Sequence, residues 1–402
     1  MSVSVTPVGG RADLTAFIRL PYALYRDDPL WVAPLERERR AFLDQARNPY
    51  HRAAAVRLFL ARRQGTVVGR IAAVVDPRFN ERHGPHRGVI GLFECADDPE
   101  AAAALFDTAD AWLAARGMRR TFGPLGLTTN DECGIQISGF DQPHVLLVPR
   151  TRPYYPGLFC RCGFEKAKDL VSYSIPMPRD GEPPAEYRES AERALATPGL
   201  AVRPMDTKRE RSDLETVRYI YNATFEESYG SVPLGKAEFA FLAKKLKPLL
   251  RPGLLQIAEM HGEPVAFLLC LPDAHQALRT ARGRLTTFGL PLGLIRIARA
   301  GRRVDRVRFT AMGVLKEHRS RGLAAALLTQ AQRAAFRLGH TEISYSWVLE
   351  DNHASRRHAE ALGGVHTVTH RLYERETAGG RSEEERGGEE GVGEERLREE
   401  GV

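Results

Sequence analysis

The sequence predicts an α/β protein of two consecutive halves, each a mixed, mostly antiparallel twisted sheet flanked by helices, followed by a disordered tail. Three observations point there. Both halves hold apolar runs of strand length, separated by glycine-bearing turns and followed by alanine- and leucine-rich stretches of helical period. One junction in the second half stands out. There the apolar run Val307 to Val314 passes through Arg319, Ser320, Arg321 and Gly322 into a helical stretch from Leu323 to Leu338. Finally, residues 376 to 402 contain ten glutamates and four arginines among many glycines and no aromatic residue, too little apolar surface to offset the entropy of folding.

In the first half, Val56 to Ala61, the turn at Gly65 and Thr66, and Val67 to Val75 read as a hairpin. Gly88 to Cys95 is a further strand, and Asp98 to Arg116 has helical period closed by Gly117. Met118 to Gly123 is the next strand. Residues 123 to 141 carry four glycines, a proline and a cluster of polar groups, the composition of a structured loop. Asn130, Glu132 and Asp141 in that loop suit a polar or amino head group, and equally suit capping of their own backbone. Tyr154 to Phe164 forms a short helix ending at Gly163.

The second half opens with a strand from Leu200 to Asp206 and a helical run from Asp213 to Tyr229. Leu254 to Met260 and Pro264 to Cys270 form a hairpin around His261 to Glu263. Thr341 to Val348 is the strand after the glycine junction, Asn352 stands at the mouth of another helix, and Leu362 to Gly364 ends it. These readings divide the chain into 1–180, a linker 181–199, a second domain 200–375 and the tail 376–402.

Composition bounds the function. A chain of 402 residues predicts two to three domains, and 43% hydrophobic residues suffice for real cores. No window approaches 18 uninterrupted apolar residues, and the first residues lack a signal peptide's basic and apolar regions. The five cysteines are few, and Cys160 and Cys162 are too closely spaced for the usual zinc or redox motifs, so free thiols in the cytoplasm and no metal are expected. The net charge of +7 conceals a tail of −6 and a body of +13, a balance suited to a phosphate-rich cosubstrate or an anionic membrane surface. No nucleic-acid motif accompanies it.

Residues 285 to 308 interleave Phe288, Leu290, Leu292, Leu294, Ile295 and Ile297 with Arg296, Arg299, Arg302 and Arg303. The piece of this insert that begins at Pro291 is too short to span a bilayer. Its period suits an amphipathic helix packed on its own domain, an interfacial helix with arginines at lipid phosphates on the inner face of the cytoplasmic membrane, or a cover over an acyl tunnel.

The glycine junction has a plain physical meaning. A strand, a tight turn and a helix start aim free backbone N–H groups and a positive dipole end at an anion such as pyrophosphate. Arg319 and Arg321 add charge, Gly322 lets the anion approach the backbone, and Ala324 keeps the helix start narrow. The spacing Arg319-x-x-Gly322-x-Ala324 resembles the acyl-CoA pyrophosphate loop of the GNAT N-acyltransferase superfamily, and the elements from about 200 to 375 follow in that family's order. The first half resembles a degenerate copy, with the acidic run Glu94 to Glu100 where the phosphate loop would be. Residues 123 to 141, Pro153 to Tyr155, Pro272 to Gln276 and Arg371 to Arg375 resemble a bacterial family of tandem GNAT-like proteins that includes acyl-CoA-dependent ceramide synthases.

The resemblance implies an acyl-CoA-dependent N-acyltransferase acting on an amine, a long-chain sphingoid base among the acceptors. It implies acyl-CoA bound at Met312, Gly313, Val314, Arg319, Ser320, Arg321, Gly322, Leu323, Ala324 and Asn352, the thioester carbonyl meeting a backbone N–H of Met312 to Val314. Such transfer needs a neutral amine, a donor for the oxyanion and a proton for the leaving thiolate. The family's usual tyrosine acid falls at Ala359, which leaves His358, His353 and Tyr373 as candidate acids. Glu350, Asp351 and Glu132 are the candidate bases, while Glu317 and His318 suit support of the loop. Two other readings are transfer of an aminoacyl group from tRNA and a non-catalytic CoA sensor.

Overall fold

The structure, a computed structural model, describes residues 2–226, 228–286 and 290–377. The expected tail beyond 377 and Phe288 of the insert lie outside the described residues. The first half runs β1 (Val3–Pro7), α1 (Arg11–Leu24), α2 (Glu36–Leu43), β2 (Ala55–Arg63), β3 (Thr66–Val75), α3 (Pro77–His83), β4 (Arg87–Cys95), α4 (Pro99–Ala114), β5 (Arg120–Leu125), β6 (Ile135–Ser138), α5 (Tyr155–Arg161) and β7 (Glu165–Pro176). The second runs α6 (Ala185–Leu195), β8 (Leu200–Pro204), α7 (Glu210–Thr224), α8 (Lys236–Leu246), β9 (Leu255–Met260), β10 (Glu263–Pro272), α9 (His275–Leu278), α10 (Leu292–Gly301), β11 (Arg306–Val314), α11 (Leu323–Arg337), β12 (Glu342–Leu349), α12 (His353–Ala361) and β13 (Val365–Glu376).

All the strands join one sheet in the order β1-β2-β3-β4-β5-β13-β7-β12-β11-β10-β9-β8, with β6 beside β13. Among the described residues only β4–β5 and β11–β12 are parallel. The order contains an exchange. β13, from the second half, lies against β5 of the first (Tyr373 opposite Gly123), and β7, from the first, lies against β12 of the second (Ile343 opposite Ile175). The two exchanged strands also pair with each other over most of their length.

Side chains fasten the exchange. Arg371 of β13 reaches Asp169 of β7 with two bonds of 2.7 and 2.9 Å. Arg375 is buried, bonds Asp110 of α4 at 2.9 Å and stacks over Phe164, 4.5 Å from the ring centre. Each core therefore contains a neighbour's residues. Tyr373 completes the aromatic cluster of Phe93, Phe106 and Phe159, while Tyr173 and Ile175 enter the core under α11. Complete burial of side chains of this kind is worth about 1.5–3 kcal/mol each.

Residues 181–199, expected as a linker, instead carry α6, whose Tyr187 and Ala191 are buried in the second-half core. They do so because α6 packs along α11 and against Gly322 at its start. In the insert, α10 packs beside α9. It leaves Leu290, Leu294 and Ile295 57, 49 and 49% exposed.

Candidate active site

Two local departures from regular sheet open a cleft in the second half. The ladder between β11 and β12 runs only from Arg306 opposite Glu342 to Phe309 opposite Tyr345. Beyond it the strands part. On the other side of β11, Leu269 pairs with Ala311 and Cys270 with Phe309, so Thr310 is an extra residue, a bulge of the kind that bends a strand and ends pairing. The space between the parted strands widens into a cleft of about 1040 Å³.

One end of the cleft is the glycine junction. Gly322 is the N-cap of α11 with φ +75°, a left-handed conformation that glycine adopts without strain. A Cβ here would lie 2.9 Å from that of Ala194 on α6, so the start of α11 is held close to its neighbour as well as bare. No side chain caps α11, and Gly322, Leu323 and Ala324 line the cleft, leaving the positive end of a 15-residue helix facing it. Arg319 and Ser320 line the same end, and Arg319 Nε donates to the Val314 carbonyl at 3.3 Å. A pyrophosphate fits this chemistry. Arg321 is exposed and outside the lining.

Met312, Gly313, Val314, Asp351, Asn352 and His358 also line the cleft. Asn352 caps α12, its Oδ1 accepting from the Ser355 N–H at 3.1 Å. His358 Nδ1 is 2.9 Å from the Tyr187 hydroxyl, and burial, with Arg357 nearby, holds its pKa below the usual imidazole value. Ala359, the expected acid position, is wholly buried in the core and outside the lining, so from this helix Ser355 and His358 face the cleft instead. Asp351 accepts from Lys168 at 2.8 Å.

Other candidates lie elsewhere. Glu350 accepts from Lys166 Nζ at 2.6 Å and from the Asp169 N–H at 3.0 Å, outside the lining. Tyr373 is buried in the first-half aromatic cluster, its pKa pushed up to about 12 by burial. Glu132 is held by Arg39 Nη2 at 2.8 Å to both oxygens. Burial raises its pKa, and the Arg39 charge outweighs burial and leaves the carboxyl low. Asp141 is exposed beside Gln142, and His353 is exposed. Glu317 stays outside the lining, whereas His318 belongs to it.

Several lining groups escaped the sequence reading. Tyr345, on β12, lies 3.0 Å from Ser355 Oγ, and burial pushes its pKa up to about 12. Arg308 is buried at the cleft floor, donating to the Ser346 and Leu146 carbonyls at 3.0 Å. Burial lowers its pKa to about 10. Away from the start of α11 the walls are apolar. Leu214, Val217 and Tyr221 on α7, and Phe239, Leu242 and Leu246 on α8, each line the cleft at i, i+3, i+7 spacing from a single helix face. α10 contributes nothing to it.

The first half has no counterpart. β4 and β5 stay close at Gly91, where a Cβ would fall 2.0 Å from the Leu125 carbonyl oxygen. The start of α4 is closed by its own carboxylate, Asp98 accepting from the Ala101 N–H, with Arg63 spanning Asp98 and Glu100. Glu94 is half-buried and accepts from the Tyr25 and Tyr155 hydroxyls at 2.9 and 2.7 Å. Among the described residues no cluster of His, Cys, Asp or Glu is arranged to hold a metal ion.

A parted parallel strand pair, a bulged inner strand and a bare helix start, set in a sheet made of two like halves, define a tandem GNAT fold. Residues 214–363 match the family described as the Acetyltransferase (GNAT) family. The chain is 34% identical over 380 residues to "Bacterial ceramide synthase" of Caulobacter vibrioides, covering 93% of this chain and 97% of that protein. It is 33% identical over 368 residues to "Protein YghO" of Escherichia coli, covering 90 and 93%. A tandem GNAT protein from the clavulanic acid biosynthesis pathway shares the fold with a TM-score of 0.54 at 12% identity, over 94% of this chain and 99% of that one. The chain belongs to the tandem GNAT acyltransferase family, whose members use acyl-CoA as donor.

Proposed function

We propose that the protein transfers a long-chain acyl group from acyl-CoA to the amine of a lipidic acceptor, a long-chain sphingoid base in the first place. One observation carries this reading: the bare helix start that suits pyrophosphate and two apolar helix faces belong to a single cleft. At about 1040 Å³ that cleft lies at the top of the ~300–1,000 Å³ range of small-molecule sites. An acetyl group has no use for such walls. The name of the relative that covers nearly the whole chain supports the same acceptor class.

In this reading the start of α11 and Arg319 hold the pyrophosphate and β11 aligns the thioester. His358, joined to Tyr187, and Tyr345, joined to Ser355, are the groups on the α12 side able to pass a proton toward the leaving sulfur. A lipid acceptor also calls for contact with a membrane. The exposed Leu290, Leu294 and Ile295 beside Arg296, Arg299 and Arg303 suit an anionic surface at the periphery of the cytoplasmic membrane. No helix among the described residues is long and apolar enough to cross one.

The test is release of CoA thiol by the purified protein, offered acetyl-, myristoyl- and palmitoyl-CoA with and without sphinganine. Release that needs both a long acyl-CoA and sphinganine, and is abolished in Gly322→Glu, is expected. Release with acetyl-CoA alone among the donors would refute the long-chain reading.

A further inference from the structure

Asp131 belongs to the first half, on the loop between β5 and β6, yet it lines the second-half cleft. It also lines a side pocket of about 60 Å³, and Asn130, Leu234 and Leu242 are shared by both spaces, so the pocket opens off the cleft at this point. Helix α7 ties the place to the inner strand. Tyr221 donates its hydroxyl to Asn130 Oδ1. On the same helix, Ile220 and Thr224 pack on Gly313, where a Cβ would come within 2.6 Å of Thr224 Oγ1. One face of α7 thus runs from the strand that lines the donor end to the loop carrying Asp131.

The surroundings leave this carboxylate available. Among the described residues Asp131 forms no ion pair, while the neighbouring Glu132 is fully engaged by Arg39. The charged groups facing Asp131 are Lys245 from α8, Arg39 from α2 and Glu132 from its own loop, with the Thr128 hydroxyl beside it. Across the side pocket, Arg78 and Glu238 are paired with each other at 2.9 Å. Burial raises the Asp131 carboxyl to about 6, against the lowering effect of Lys245 and Arg39.

We propose that Asp131 is the acceptor-binding carboxylate, which holds the incoming ammonium of an amphipathic amine and takes its proton. The assignment rests on the N-acyl-transfer reading given above and adds to it which half of the molecule recognises the acceptor. The ammonium of the amine pairs with the Asp131 carboxylate while its chain follows the apolar walls. Transfer of one proton to the carboxylate leaves two neutral groups, which an apolar cleft favours over an ion pair. The nitrogen lone pair then forms the C–N bond at the thioester carbonyl, the C–S bond breaks, and the departing sulfur takes the proton that the nitrogen must lose. Asp131 returns its proton to water as the amide leaves. One ammonium and one thioester thus give one amide, one thiol and one proton.

The experiment compares the full-length protein with Asp131→Asn, Asp131→Glu and Lys245→Met, using palmitoyl-CoA and sphinganine in detergent micelles between pH 5 and 9. Calorimetry measures CoA and, without donor, sphinganine. In Asp131→Asn, kcat/KM for sphinganine should fall by ~10²–10⁴. Sphinganine binding should weaken, CoA affinity should be unchanged, and the acid limb near pH 6 should disappear. Asp131→Glu should recover part of the rate, and Lys245→Met should move the acid limb upward. Unchanged CoA affinity also certifies that the variant is folded. Wild-type sphinganine binding and an intact acid limb in Asp131→Asn would overturn the assignment alone. A wild-type protein that acylates no amine would instead overturn the N-acyl-transfer reading beneath it.

Discussion

At the scale of single residues, position in the cleft separates groups that composition alone cannot rank. Glu350, at the end of β12, is a natural candidate base by sequence, but Lys166 and the Asp169 N–H hold both its oxygens. Burial raises its pKa and these partners outweigh burial, so the folded value lies below the ordinary one. A depressed carboxylate stabilises the fold above its unfolded pKa, about 4.3, and that contribution is lost as pH falls through the folded value. Glu350→Gln should therefore cost less than ~1 kcal/mol at pH 7 and flatten the stability curve below about pH 4.3. Turnover should fall by less than the ~10²–10⁴ attached to a lost general base. A larger loss with CoA affinity intact would make Glu350 the base. The bare start of α11 was legible in sequence because Gly322 must be a glycine for two local reasons, its φ of +75° and the approach of Ala194. Asp131 was not legible, although Asn130 and Glu132 on either side of it drew attention. A loop has no repeat from which side-chain direction can be read.

At the scale of elements, period and turn chemistry foretold the hairpins β2–β3 and β9–β10, β4, α4 closed by Gly117, β5 and the order β11–α11–β12–α12, but not β1, β6, β7, α1, α2, α3, α6 or α8. The stripe Leu214, Val217 and Tyr221 reads the same whether a helix faces its own sheet or a cavity, so the apolar walls became visible only in three dimensions. The insert shows the same limit, since α10 is amphipathic under each of its readings and its packing on α9 takes it away from the cleft. The exchange of β7 and β13 was hidden for a related reason, because a strand's alternation names its faces and not its neighbours. Arg375 is the element-scale test. Replacing it with Leu leaves Asp110 buried without its charge partner, a loss of about 3–5 kcal/mol readable as a shift of the urea midpoint. Arg375→Leu combined with Asp110→Asn should regain part of the loss. A single variant of wild-type stability would show that β13 is held by its backbone ladder alone.

At the scale of the whole molecule, the two halves have divided their tasks. The second keeps a bare helix start, while the first has closed its own with Asp98 and lends a loop to its neighbour's cleft. Arg279, Arg296, Arg299, Arg302 and Arg303 gather positive charge around an open basin next to the exposed leucines of the α10 segment. The triple variant Arg296→Glu, Arg299→Glu, Arg303→Glu should lose co-sedimentation with vesicles of anionic phospholipid. Each charge removed near the surface is worth about 1 kcal/mol. Its affinity for free CoA should stay as in wild type, and equal vesicle binding by both proteins would remove the membrane from the reading.

The exchanged strands also bear on how the protein is made. A ribosome delivers β5 and β7 long before β13 exists, so the first half waits with open strand edges while the whole second half is translated. Only when β13 emerges can Tyr373 enter the aromatic cluster it completes. The nascent first half should accordingly be a client for chaperones and an easy target for proteases until synthesis has passed residue 376, and then become resistant in a single late step.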